Sequence, residues 1–389
     1  MIDRLTRRGL LGGLGAATAA RAFGMPYASA GPCGAPAPPR PVAPVNREIA
    51  ARHGAEYRTM PQAAVGVDAD SLITVQSAAD VAARRARLIA YVWKGAGLPT
   101  RLPQVRTGVS VPPLASLPHV HRVDELSVPL AHGMSSRVFH ALPPPPGNGR
   151  VAIYHNGHGE PAGAMLATVA ALLQRGYSVL VLAMPSMHWN APPGRGAASH
   201  DDFARRESAR FSALTFFLDP VAVAVNHAVA VHRPASVQMI GLSGGGWTTT
   251  VYAAIDPRVT RSYPVAGSLP FYLRGAAPNV TSSVGDWEQR RDTLPGFYGA
   301  AGYLDLYVMA AAGPGRRQLQ ILNRFDPCCF SGVGHRSYAP AVAQRAGLIG
   351  GGGWDLLEDA THDRHTISPY ALSVILHDLD AQAGVRSSS

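Results

Sequence analysis

The chain has 389 residues, 47% hydrophobic and 15% charged, which supplies ample material for a core and excludes a highly charged disordered polymer. Its net charge is +10, but the basic residues are spread thinly and do not cluster with aromatics, so no nucleic-acid partner is expected. No apolar run reaches the roughly 20 residues of a bilayer-spanning helix, so no integral membrane segment is expected after the N-terminus is removed.

In the first segment, Arg4, Arg7 and Arg8 precede a mildly apolar stretch, residues 9–20, and Ala28-Ser29-Ala30 offers the small residues that signal peptidase accepts. Thr6-Arg7-Arg8-Gly9-Leu10-Leu11 resembles the twin-arginine export motif, and the Gly- and Ala-rich apolar stretch suits that route. Residues 1–30 are therefore expected to be a twin-arginine-type signal peptide, cleaved near Ala30, with a periplasmic or secreted product. A basic arm followed by a short helix is the competing reading. Four Arg and one Asp lie within that segment, so the remainder keeps a net +7. Cys33 is not expected to carry a lipid, because Gly31-Pro32 departs from the lipobox pattern. Three cysteines are too few for a disulfide scaffold. Either of Cys328 and Cys329 could pair with Cys33 or with the other, or stay a thiol.

Residues 31–45 form a Pro-rich leader and residues 46–122 an N-terminal extension, with a helical pattern over 77–95. The stretch 123–142 alternates around His132-Gly133 as a β-hairpin. From residue 150 onward, short apolar runs alternate with helical patterns. Strands are expected at 151–157, 177–185, 236–246 (entering a tight turn), 259–268, 318–326 and 354–361, and helices at 161–175, 201–232, 247–255 and 369–383. Residues 270–316 lack clean alternation and read as a cap or insertion. Strand-helix alternation of this kind predicts an α/β fold with a mostly parallel central sheet flanked by helices.

The chemistry centres on Gly241-Leu242-Ser243-Gly244-Gly245, placed between an apolar strand and an amphipathic helix. A serine on such a turn is exposed as a nucleophile, and glycines two before and two after let the chain reverse. A plain glycine turn or phosphate loop is the alternative, but the lysine of a Walker-type loop is missing. Upstream, the strand ending in His155-Asn156-Gly157-His158-Gly159 offers amides at Gly157 and His158 to join that of Gly244 in an oxyanion hole. His155 and His158 could instead bind a metal, but no clustered Cys or acidic residue accompanies them, so no metal and no cofactor is expected. Asp326, closing one strand ahead of Pro327, is the candidate acid. A turn cap is its competing reading, and Asp305 and Asp359 are weaker candidates. For the base there are His362 and His365, with an H-x-x-H metal pair as the alternative for both.

The order of elbow, acid strand and terminal histidine loop resembles the α/β-hydrolase superfamily over about residues 123–385. His362, directly after its strand in Asp359-Ala360-Thr361-His362, resembles lipases and cutinase-like esterases. His365 is followed by Thr366-Ile367-Ser368-Pro369, with Ser368 as helix N-cap. This resembles carboxylesterase and dienelactone-hydrolase-like enzymes, and His365 is the preferred base. A pair of histidines where most members show one is a departure from the pattern. The resemblance implies a serine hydrolase that acts on a small-molecule ester or other acyl compound through an acyl-enzyme on Ser243. A peptidase or amidase of the same superfamily, or a catalytically silent binding protein on the same fold, are the alternatives. Trp189, Trp287, Phe297, Tyr298 and Tyr303 could line an acyl pocket or form packing of their own.

Overall fold

The computed structural model describes residues 45–159, 162–192, 199–234 and 236–387, with side chains as far as 382. The expected signal peptide, residues 31–44 of the leader and Cys33 lie outside them. Three helices open the described chain: α1 (Arg47–Arg52), α2 (Ala69–Leu72) and α3 (Ala78–Val92). Their N-termini are closed by Asn46, Asp68 and Ser77, whose side chains accept the first orphan amides. After β1 (Gln104–Arg106), the strands β2 (Arg122–Pro129) and β3 (Ser135–Leu142) pair as the expected antiparallel hairpin.

The α/β part runs β4 (Val151–His155), α4 (Ala162–Gln174), β5 (Ser178–Leu182), α5 (Thr215–His232), β6 (Val237–Leu242), α6 (Gly244–Ile255) and β7 (Val259–Val265). It continues through α7 (Pro295–Ala300), α8 (Tyr303–Ala311), β8 (Arg317–Asn323), α9 (Ala339–Leu348), β9 (Gly353–Asp359) and α10 (Pro369–Ser387). The sheet order is β1-β2-β3-β5-β4-β6-β7-β8-β9. Pairings from β5 to β9 are parallel, and those from β1 to β5 are antiparallel.

Period-two alternation sends side chains of each central strand to opposite cores. Val151 and Ile153 join α5, α6 and α8 on one face, while Ala152 and Tyr154 join α4 and α10 on the other. The helix α5 has 18 residues and is apolar enough to cross a membrane by length and composition, but 67% of it is buried inside the protein. An all-round apolar helix is what a two-sided core position requires. The irregular stretch 270–316 ends in α8, whose residues Leu306 to Ala311 are at most 1% exposed. That helix is thus a buried crossover packed on α6. The helical reading of 201–232 is corrected to a short 3-10 turn, His200–Arg205, and then α5.

Parallel strands point their C-terminal ends one way, and ligands of open α/β sheets bind outside that edge. The loops after β4, β6, β8 and β9 therefore share one side of the molecule, and the candidate residues stand on them.

Candidate active site

Ser243 lies between the last residue of β6 and the first of α6, at φ 58° and ψ −123°. A non-glycine residue in this region costs about 1–3 kcal/mol, so neighbours must hold it. The Ser243 amide donates to Val265 O at 2.9 Å, and Ser243 O accepts from the Trp247 amide at 3.0 Å. Glycine on either side is a steric requirement. A Cβ on Gly241 would sit 2.2 Å from Gly245 O, and one on Gly245 would sit 2.0 Å from His155 O. Gly244, Gly245 and Gly246 begin a wholly buried helix, whose N-terminus carries partial positive charge toward the serine.

The loop after β4 crosses directly against this turn. A Cβ on Gly157 would lie 2.6 Å from Ser243 Cβ and 3.3 Å from the Gly244 nitrogen. His188 Nε2 donates to Gly157 O at 2.9 Å and so fixes the loop's orientation. The His158 ring lies over Gly244, where an added Cβ would approach its Cε1 to 2.5 Å. His155 is buried instead, with Nδ1 2.9 Å from Asn156 O, and burial pulls it down to about 4.

Asp326 has no exposed surface. Its Oδ2 lies 2.8 Å from His365 Nδ1 and accepts from Asn323 Nδ2 at 3.3 Å, while Oδ1 accepts the amides of Cys328 and Cys329 at 2.9 and 3.0 Å. Every lone-pair direction of the carboxylate is therefore used, which fixes the imidazole it holds. The opposite nitrogen, His365 Nε2, is buried and has no hydrogen-bond partner. Cys328 and Cys329 are bonded to each other, which resolves the pairing left open by the sequence.

His362 has different neighbours. Its Nδ1 accepts the Arg364 amide at 3.1 Å and its Nε2 stands 3.4 Å from Asp359 Oδ2. Nδ1 is thereby satisfied, while Nε2 makes no hydrogen bond at that distance. Burial raises the Asp359 carboxyl, but contacts with His362, Ser368 and Thr361 outweigh this and lower it. Ser368 also caps α10 by accepting the Ala371 amide at 2.9 Å. Asp305 is remote in role: its carboxylate accepts the Thr74 amide, the Thr74 hydroxyl and the Val75 amide at 2.7 to 3.0 Å.

Among the aromatic candidates, Trp287 and Phe297 are core residues, at 1% and 0% exposure. Trp189 donates to Arg137 O and packs on Phe139. Tyr298 and Tyr303 line a cavity of about 420 Å³ with Arg84, Phe271 and Asp305, and neither Ser243, Asp326 nor His365 borders it. Four contributors carried no local sequence signal. His188, Asn323 and the two cysteine amides act through distance and direction, which residue spacing does not encode.

Neither a family model nor a curated protein matches the chain. Among solved structures, Methylesterase BT1017 is similar at a TM-score of 0.52 and 14% identity, over 83% of this chain and 69% of its own. An acetyl xylan esterase from Paenibacillus sp. R4 is similar at 0.48 and 14%, over 84% of this chain and 98% of its own. Acetyl xylan esterase 1 from Thermoanaerobacterium sp. JW/SL YS485 gives 0.47 and 15%, over 78% and 93%. At such identities the first likeness speaks to architecture. With the mostly parallel sheet and its flanking helices, the chain has the α/β-hydrolase fold.

Proposed function

We propose that the protein is an exported serine hydrolase that cleaves a carboxylic ester through an acyl-enzyme on Ser243. The observation that carries this reading is that the loops at the sheet's C-terminal edge carry both a serine at positive φ on a strand-helix turn and a histidine held 2.8 Å from a buried carboxylate. In the proposed reaction His365 Nε2 takes the Ser243 proton as Oγ attacks the carbonyl carbon. Asp326 keeps the proton on Nδ1 and stabilises the imidazolium. The amide of Gly244 and those of Gly157 and His158 are the proposed oxyanion donors. The imidazolium returns the proton to the departing alcohol, and water, deprotonated by the same histidine, then releases the acid.

An ester is preferred to an amide in keeping with the methylesterase that shares the fold. A panel of acyl esters, carbohydrate esters and aminoacyl amides tests the amide alternative. Export rests on the residues 1–30 pattern, and N-terminal sequencing of the protein from a periplasmic fraction checks cleavage near Ala30. A fluorophosphonate probe should label Ser243, and Ser243→Ala should lose labelling and ester hydrolysis together. Full activity of that variant would end the proposal.

A further inference from the structure

Next to the elbow, three side chains from distant parts of the chain converge on one point. His158 Nε2 stands 3.0 Å from His200 Nδ1 and 3.1 Å from Glu288 Oε1, and His200 Nδ1 stands 3.0 Å from Glu288 Oε2. Glu288 and His200 are 0% and 3% exposed.

Proton accounting makes this arrangement unusual. His200 Nε2 is 3.0 Å from Pro185 O, a pure acceptor, so that nitrogen carries the hydrogen and Nδ1 presents a lone pair. His158 Nδ1 faces Asp286 Oδ2 at 3.4 Å, and with its hydrogen on that nitrogen Nε2 presents a lone pair. In these tautomers two imidazole lone pairs and a carboxylate face one another with no donor between them. Glu288 Oε1 has no hydrogen bond of acceptable geometry despite its burial. Left as neutral imidazoles and a carboxylate, the group would be repulsive, so it calls for a cation at its centre.

We propose that His158, His200 and Glu288 bind a divalent transition metal, zinc by donor set. Two imidazoles and a carboxylate suit zinc, and ligands about 2.0–2.1 Å from a tetrahedral metal stand about 3.3 Å apart, close to the observed triangle. Each histidine is also oriented through its other nitrogen by a carbonyl or a carboxylate, the arrangement usual behind metal-bound histidine. Three protein ligands leave a fourth position for water or another ligand. The metal would tie the loop after β4 to the 3-10 turns His200–Arg205 and Trp287–Gln289, and so hold the His158 backbone beside Ser243. The other close group, Cys328, Cys329 and His365, offers no such site, since its cysteines are bonded together.

This site is independent of the hydrolase reading, because metal content is read without substrate. The full-length protein is stripped with chelator, dialysed against micromolar zinc and desalted, and its metal is counted by mass spectrometry. Wild type and Ser243→Ala should each retain about one zinc and melt at a higher temperature than the stripped form. Glu288→Gln and His200→Ala should retain less than about a tenth of that, while His377→Ala on the exposed face of α10 should match wild type. Should either variant fail to fold, cobalt(II) titration of stripped wild type supplies the reading. Intense visible absorption of four-coordinate cobalt supports the site. Retention of no zinc by wild type, equal retention by Glu288→Gln, or only the pale spectrum of six-coordinate cobalt would overturn it, and a single protonated histidine would then neutralise Glu288.

Discussion

His362 and His365 stand on the same loop, yet their neighbours leave only one of them free to exchange a proton. His365 has Nδ1 on Asp326 and Nε2 without a hydrogen-bond partner, whereas His362 uses its Nδ1 lone pair on the Arg364 amide, so its Nε2 carries the hydrogen and faces Asp359 at 3.4 Å without a hydrogen bond. His365→Ala should therefore cut kcat on a simple aryl ester by about 10³–10⁴-fold. His362→Ala should stay within about tenfold and show mainly as a lower Tm, because Asp359 loses a partner. The opposite ranking would reassign the base. Gly157 permits a second test at this scale. A methyl group there would press on Ser243 Cβ at 2.6 Å and Leu242 O at 2.7 Å. Gly157→Ala should lower kcat/KM by at least about 10²-fold, the cost of a displaced oxyanion donor, with far-UV circular dichroism unchanged.

At the scale of elements, residues 46–92 are tied to the α/β part by burial and by polar contacts, among them a cluster of bonds to one buried carboxylate. Ile73, Val75, Leu88 and Val92 are at most 1% exposed within the same core as α6 and α8, and Asp305 on α8 accepts three hydrogen bonds from Thr74 and Val75. Asp305→Ala leaves two buried or half-buried amides without their acceptor. It should cost about 2–4 kcal/mol and open residues 46–92 to limited proteolysis before the rest unfolds. Intact resistance to protease would show that burial and the remaining polar contacts hold the segment without Asp305. Most strands were legible, since each is a short apolar run closed by a turn residue. The missed break before α5 has a local cause. Ser208 Oγ accepts the amides of Arg210 and Phe211, and Glu207 accepts the Ser212 hydroxyl and the Ala213 amide. These bonds compete with helix formation without altering the apolar spacing. Helix α9 escaped notice because only Val342 and Ala346 of it are buried, too few for a visible stripe.

For the molecule as a whole, acid sensitivity follows from Glu358 on β9. Burial raises its carboxyl, but hydrogen bonds and charge from His335 at 3.1 Å and Arg336 at 2.8 Å outweigh this and set it at about 2. A carboxyl depressed from an ordinary 4.5 contributes stability that is complete above that value and lost as pH falls toward about 2. Glu358→Gln should lower stability at neutral pH by about 1–2 kcal/mol after screening, read as a lower Tm, and flatten the decline below about pH 4.5. Parallel Tm curves for wild type and variant would remove Glu358 from that account. By itself the sequence determined what is local: the alternation of each strand, the caps, and the glycine spacing that lets Ser243 adopt positive φ. Those features arise from steric and periodic rules within a few residues. Only the tertiary structure decided which histidine meets Asp326, 39 residues away, and that His158 meets His200 and Glu288. Such partners are chosen by strand order and by which loops share the sheet's C-terminal edge, and a linear spacing carries neither. At Ser243 the two levels meet, since its turn is written locally while its neighbours are supplied by the fold.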